Sequence, residues 1–359
     1  MSSDTASKEA RRPSLPSLTG VRFAAAFYVV ISHSRVWLER HTAIPRPVDN
    51  FLSNGSLAVC FFFVLSGFIL AYTYQFPFNN RREFAKFWEA RFARIYPVYF
   101  LSLLLLLPFQ LQYLDTKTVF SVLLMVQAWS PWHAELTGAW NYPAWSLSVE
   151  AFFYLCFPFI QNRLGLASRR TLYLAGGVTL LLGILAHTPY ESLGTWDPHS
   201  YSRIPIPLPL IRIPEFILGM IAGNFFVRFG SFRRSTAFSV LGVIASLALL
   251  AATSGPWISL ILLPFALLIY CMASSDDFVA RWFGVPLMVL LGGASYAVYL
   301  LQLPVREWVR VTLGPPLAAL HIPDAPLTPL ILVLFSIAVF RYWEEPLRRF
   351  IRKSLAALL

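Results

Sequence analysis

Long apolar stretches separated by short, arginine-bearing polar segments dominate this chain. They run approximately over residues 18–37, 57–75, 93–111, 145–161, 171–187, 205–227, 236–253, 256–273, 286–305 and 327–343. A helix rising about 1.5 Å per residue needs stretches of this length to cross roughly 30 Å of hydrocarbon. The pattern therefore predicts an all-α, polytopic integral membrane protein with about ten transmembrane helices. Residues 119–129 are also apolar but too few to span, so they predict one short re-entrant or interfacial helix on the external side. Basic residues cluster in the segments at 79–94, 161–170 and 228–234 and in the tail at 348–353. Ten crossings from a cytoplasmic N-terminus put all of these inside and return the C-terminus to the cytoplasm, as the positive-inside rule requires. No internal repeat or linker divides the chain. The expected organisation is a cytoplasmic polar tail (1–17), one transmembrane domain (18–343) and a basic cytoplasmic tail (344–359).

Composition agrees: the chain is 57% hydrophobic and only 13% charged, too apolar for a soluble protein of 359 residues. Its formal charge of +11 is spread beside the apolar stretches rather than along one stripe. That distribution reports topology and membrane lipid contacts, and it argues against a nucleic-acid partner. The polar start leads straight into a full-length apolar stretch, which is not the pattern of a cleaved leader. Cys60, Cys156 and Cys271 lie in separate apolar stretches without metal-site or disulfide spacing, so they read as free thiols, and no metal is expected.

Against this background, ionisable residues inside the apolar stretches mark function, because polar groups at such depth cost about 2 to 3 kcal/mol each. Arg22 and His33 are eleven residues apart in the first stretch. At about 100° per residue they leave a helix on one face, about 16 Å apart along its axis. Arg91 and Arg94, spaced i, i+3, share a face at the cytoplasmic surface and suit a negatively charged cofactor, although positive-inside arginines also grip lipid headgroups. Glu150 enters from the external side with Ser146 and Tyr154 four residues to either side, and His33 is a candidate partner for its carboxylate. A structural role is the alternative for each. A histidine oriented by a carboxylate is what acyl transfer to a sugar hydroxyl needs, since the hydroxyl attacks only as a base takes its proton. Nucleophile-elbow, phosphate-loop and zinc-protease signatures are absent from the sequence.

Several motifs together resemble the membrane acyltransferase 3 family. They are Leu18-Thr-Gly-Val-Arg22 with His33, Phe61-Phe-Phe-Val-Leu-Ser-Gly-Phe68, Arg91-Phe-Ala-Arg-Ile-Tyr-Pro97, Trp145-Ser-Leu-Ser-Val-Glu150, Gly293-Ala-Ser-Tyr-Ala-Val-Tyr299 and Glu345-Pro346. The resemblance implies a bacterial inner-membrane O-acyltransferase moving an acyl group, commonly acetyl, from acyl-CoA to a hydroxyl of a carbohydrate, glycolipid or related acceptor. It also implies that Arg22, Arg91 and Arg94 hold the donor, that His33 with Glu150 does the chemistry, and that Ser146, Tyr154, Tyr299 and Gln302 line the substrate path. The chain departs from the family where Cys60 replaces a common Asp or Ser and Gln302 replaces a common His. Gln302 cannot act as a base, so a degenerate site is one alternative. A transporter or flippase of lipid-linked sugars is another, since polar groups meeting at mid-bilayer also form substrate pathways.

Three features remain. Arg212 and Glu215 are spaced to neutralise each other, in a structural or acceptor-positioning role. Trp129, Trp132, Trp140, Tyr142 and Trp145 form either an interfacial belt or, with residues 130–143, an acceptor entrance. His199 and His321 fall in outer loops and are expected to be exposed.

Overall fold

The computed structural model describes residues 12–356 except 76, 114, 192–205, 233, 253–255, 275–276 and 321–326; His199 and His321 therefore lie outside the described residues. Sixteen α-helices and no strand occur among the described residues. They are α1 (Pro16–Ser32), α2 (Arg35–His41), α3 (Arg46–Ser53), α4 (Ala58–Thr73), α5 (Arg81–Gln110), α6 (Thr116–Leu123), α7 (Trp145–Leu164) and α8 (Arg169–Glu191). The remainder are α9 (Leu208–Phe229), α10 (Ser235–Ala252), α11 (Leu262–Met272), α12 (Phe278–Phe283), α13 (Pro286–Thr312), α14 (Gly314–Ala319), α15 (Leu327–Val339) and α16 (Glu345–Ala356). Among the described residues, eight helical stretches are long and apolar enough to cross a membrane, and two shorter apolar helices, Pro16–Ser32 and Ser259–Met272, match the other two stretches in the sequence. The chain is a multi-pass, all-α membrane protein.

Without water to drive apolar faces together, close packing and buried hydrogen bonds hold such a bundle. The most extensive helix contacts are α4 with α9 and α1 with α13, and both depend on glycine. A Cβ on Gly67 of α4 would come within 2.0 Å of Phe216 O, and one on Gly219 of α9 within 1.9 Å of Val64 O. Likewise, a Cβ on Gly292 of α13 would meet Thr19 O of α1 at 1.9 Å. These contacts bring the backbones of α1, α4, α9 and α13 together around the core that carries the site.

Helix ends follow local chemistry. Asn80 caps the start of α5: its Oδ1 accepts from Glu83 N (3.0 Å), while Glu83 Oε2 accepts from Asn79 N (2.7 Å), the residue before the cap. Asp115 caps α6 by accepting from Thr118 N (2.7 Å), a bond that holds its carboxyl below the usual carboxylate range. The first apolar stretch ends sooner than expected, because α1 stops at Ser32. Ser32 Oγ turns back to Val29 O (2.7 Å), and the polar run of Ser32, His33 and Ser34 makes a break before α2. His33 thus caps the end of α1 rather than lying inside a longer helix.

The short apolar segment does not span. After α6 the chain re-enters the bundle: Gln127 and Asn141 are only 1% and 0% exposed. Ser148 anchors this return, its Oγ accepting from Ala128 N (3.1 Å) and its carbonyl from Trp129 Nε1 (2.8 Å). Asn141 Nδ2 donates to Ser102 Oγ (3.0 Å) and Leu300 O (3.1 Å). Irregular backbone at this depth is tolerated because protein, not lipid, surrounds it.

Candidate functional site

Five helices, α1, α4, α5, α7 and α13, converge on a cavity with about 800 Å³ of space between its atoms, open mouth included. Arg22 of α1 and Arg91 and Arg94 of α5 line one end, and Ser146 of α7 with Tyr299 of α13 line the other. Ser66 of α4 and Glu150 of α7 lie between them. The antiparallel course of α1 and α4 fixes this polarity: Tyr72 near the end of α4 donates to Pro13 O (3.0 Å), just ahead of α1. The arginine end therefore lies towards the start of α1, and His33 lies at the opposite end of that helix.

Each arginine is held differently. The guanidinium of Arg91 sits over the rings of Tyr74, Phe87 and Tyr154 at 5.8, 5.8 and 6.0 Å, and its buried Nε has no hydrogen-bond partner among the described residues. Arg94 lies over Tyr296 (5.8 Å) and forms an ion pair with Glu344. Arg22 makes no hydrogen bond or ion pair among the described residues; Arg94, Glu150, Tyr154 and Glu344 are ionisable groups whose charges act on it. A patch with unfilled guanidinium donors, backed by aromatic faces, is chemically matched to phosphate oxygens.

Glu150 does not pair with His33. Its Oε1 accepts from Ser66 Oγ (2.7 Å) and Tyr154 OH (2.6 Å), and it stands among the groups surrounding Arg22. The reason is axial: Glu150 is level with the arginine half of α1, whereas His33 occupies the other end of that helix. The side chain beside His33 is Gln302, and the charge of Arg306 acts on the ring. Gln302 Nε2 donates to Tyr299 O (2.8 Å), leaving its buried Oε1 without a partner in strict hydrogen-bond geometry. Tyr299 OH and Ser146 Oγ are hydrogen-bonded to each other (3.0 Å) and both reach Pro143 O (3.1 Å each). That pair closes the cavity on the side of His33. His33 itself does not line the cavity and is exposed.

The residues selected from the sequence thus divide into two groups. Arg22, Arg91, Arg94, Ser146, Glu150, Tyr154 and Tyr299 share the cavity, while His33 and Gln302 lie just beyond its far wall. Ser66 and Glu344 join the site without having been selected. Ser66 was legible as a hydroxyl in an otherwise apolar run. Glu344 was hidden, because Arg348 at i+4 offers it a local partner that would explain it as a surface residue. A five-residue π-turn, Phe340–Glu344, instead directs it into the bundle, where it is 0% exposed. The boundary expected at 343/344 cuts through this turn.

Arg212 and Glu215 form a buried pair (3.1 Å), and Arg212 Nη2 also donates to Cys60 Sγ (3.3 Å). The arginine lies over Phe63 and Trp145 (5.4 and 5.9 Å), directly behind the cavity wall. Trp145 is 3% exposed and is core, not external loop. Trp129 and Trp140 donate to Ser148 O and Leu103 O, whereas Trp132 is 77% exposed, so the aromatic run is no continuous platform.

A family model described as an acyltransferase domain matches residues 15–340. "Acyltransferase MdmB" of Streptomyces mycarofaciens is 29% identical over 325 residues, covering 84% of this chain and 81% of that protein. "Protein 2 in picA locus" of Rhizobium radiobacter is 37% identical over 90 residues, 25% of this chain and 42% of that protein. No solved structure matches.

Proposed function

We propose that this chain, which belongs to the acyltransferase domain family and is an acyltransferase of multi-pass membrane type, takes its acyl group from acyl-CoA on the cytoplasmic side. Acetyl is the proposed acyl group, and a hydroxyl of a carbohydrate, glycolipid or related acceptor receives it at the outer face of the bacterial inner membrane. One observation carries the reading: the two ends of α1 bear complementary chemistry, an arginine-lined cavity at Arg22 and an accessible histidine at His33. About 16 Å of helix separates them, a gap a long flexible thioester arm is suited to cross.

In this reading Arg22, Arg91 and Arg94 receive the donor's phosphates, and the donor arm runs along Ser66 and Glu150 and parts the Tyr299–Ser146 wall to bring its thioester to His33. His33 takes the proton from the acceptor hydroxyl as its oxygen attacks the thioester carbonyl carbon. The C–S bond then breaks, and the imidazolium returns the proton to the leaving thiolate. Gln302 takes the orienting role expected of Glu150, its Oε1 being the acceptor beside the ring. Glu150 instead balances the arginine charge and holds Ser66 and Tyr154 against the cavity.

The test is transfer or slow hydrolysis of radiolabelled acetyl-CoA by purified protein in lipid. Wild type should turn over, Arg91→Ala/Arg94→Ala should lose donor binding, and His33→Ala should bind donor without turning it over. A wild type that neither binds nor hydrolyses any acyl-CoA overturns the donor assignment.

A further inference from the structure

Glu344 is a charged group in the cavity region that this mechanism leaves unused. It is a fully buried carboxylate, ion-paired with Arg94, and its second oxygen has no hydrogen-bond partner among the described residues. The charges facing it come from three elements: Arg94 of α5, Arg22 of α1, and Arg348 with Glu345 of α16, the helix that follows it. Glu345 is already engaged by Arg348 (3.6 Å) and Arg349 (3.1 Å) on the outer side, so Glu344 alone turns into the arginine patch. An ionised carboxylate accepts at both oxygens, and burying one of them unmet is unfavourable. This pair is therefore less settled than an ion pair with both oxygens bonded.

The carboxylate also sits at the end of a π-turn rather than in regular α-helix. The π-turn Phe340–Glu344 carries one residue more than the α-helix needs. Rewinding it to α-geometry would rotate Glu344 by about 100°, away from Arg94. Trp343, the preceding residue, is tied across the interface by Nε1 donating to Pro97 O (2.9 Å), one turn beyond Arg94 on α5. The two positions are thus linked to the same helix surface.

We propose that Glu344 is a resident anion that occupies the donor-phosphate position on Arg94 when the site is empty, and that it withdraws through the π-turn as phosphate binds. This inference rests on the donor assignment above. It assigns Glu344 two effects on the reaction: it keeps the arginine patch ordered between turnovers, and by returning to Arg94 it helps expel the product coenzyme. If the carboxylate holds Arg94 about nine-tenths of the time, only about a tenth of the protein is donor-competent, and removing the charge should tighten binding about tenfold.

The experiment measures binding of coenzyme A and of S-acetylpantetheine, which lacks the nucleotide phosphates, to wild type, Glu344→Gln and Glu345→Gln in lipid nanodiscs. Glu344→Gln should bind coenzyme A about tenfold more tightly, with kcat for acetyl-CoA reduced as product release slows. Its affinity for S-acetylpantetheine and the behaviour of Glu345→Gln should match wild type. Weaker or unchanged coenzyme A binding by Glu344→Gln overturns the proposal and makes Glu344 a structural support for Arg94. Should that variant misfold, ¹⁹F NMR of wild type labelled with 5-fluorotryptophan decides, with Trp343→Phe used for assignment. The Trp343 resonance should shift on adding coenzyme A and not on adding S-acetylpantetheine; a resonance unmoved by coenzyme A overturns the proposal. Wild type that binds no coenzyme A at all brings down the donor assignment and this inference with it.

Discussion

At the scale of single residues, His33 and Gln302 give the sharpest expectations. A general base contributes about 10²- to 10⁴-fold, so His33→Ala should lose at least about a hundredfold in turnover while coenzyme A affinity stays at the wild-type value. A loss of affinity instead would place His33 in donor binding. Gln302→Ala removes one polar contact to the ring beside it. Turnover should then fall about tenfold, the rate equivalent of one modest hydrogen bond. Glu150→Gln is expected to behave differently from both. Its carboxylate accepts from Ser66 and Tyr154 among the arginines, so its loss should alter the KM for the donor before it alters kcat. An unchanged KM with a depressed kcat would return Glu150 to the chemistry.

At the scale of elements, the α4–α9 interface tolerates no side chain at its closest points. Gly219→Val would push carbons into Val64 O, where even a Cβ would stand at 1.9 Å, and the helices would have to separate. Overpacking of this kind costs about 1–3 kcal/mol. The expected result is a clearly lower thermal midpoint, with less monodisperse protein in size-exclusion chromatography. A Cβ on Gly177 of α8 would meet nothing within 4 Å, so the same exchange there, Gly177→Val, should leave both nearly unchanged and serves as the control. Equal effects at the two sites would mean that helix propensity, not close approach, sets the cost.

At the scale of the whole molecule, the topology is open to direct measurement. In a background with Cys60, Cys156 and Cys271 replaced by serine, Trp132→Cys in the segment before α7 should react with an impermeant maleimide in intact cells. Lys86→Cys, in the basic first two turns of α5, should react only after permeabilisation. Both positions are accessible to the reagent by local geometry or sequence context, Trp132 being 77% exposed. Reaction of both in intact cells would break the ten-crossing assignment and with it the placement of the donor end inside.

The apolar stretches alone determined the class of the protein and the approximate places of its helices, because a bilayer imposes one length and one polarity on anything that spans it. The i, i+3 and i, i+4 spacings also brought out Arg91 with Arg94 and Ser146 with Glu150 and Tyr154, since helix periodicity sets which neighbours share a face. Partnership between helices was another matter. Glu150 turned to Ser66 and Tyr154 rather than His33, and Gln302 took the place beside the ring, because those contacts depend on the axial stagger of α1, α4, α7 and α13, which glycine contacts such as Gly292 against Thr19 set. Glu344 shows the limit most plainly. Its sequence offers a local salt bridge to Arg348, and only the π-turn, held within the packed bundle, carries the carboxylate to Arg94 instead. Periodicity is a property of one helix, whereas register between helices is decided only when their side chains pack.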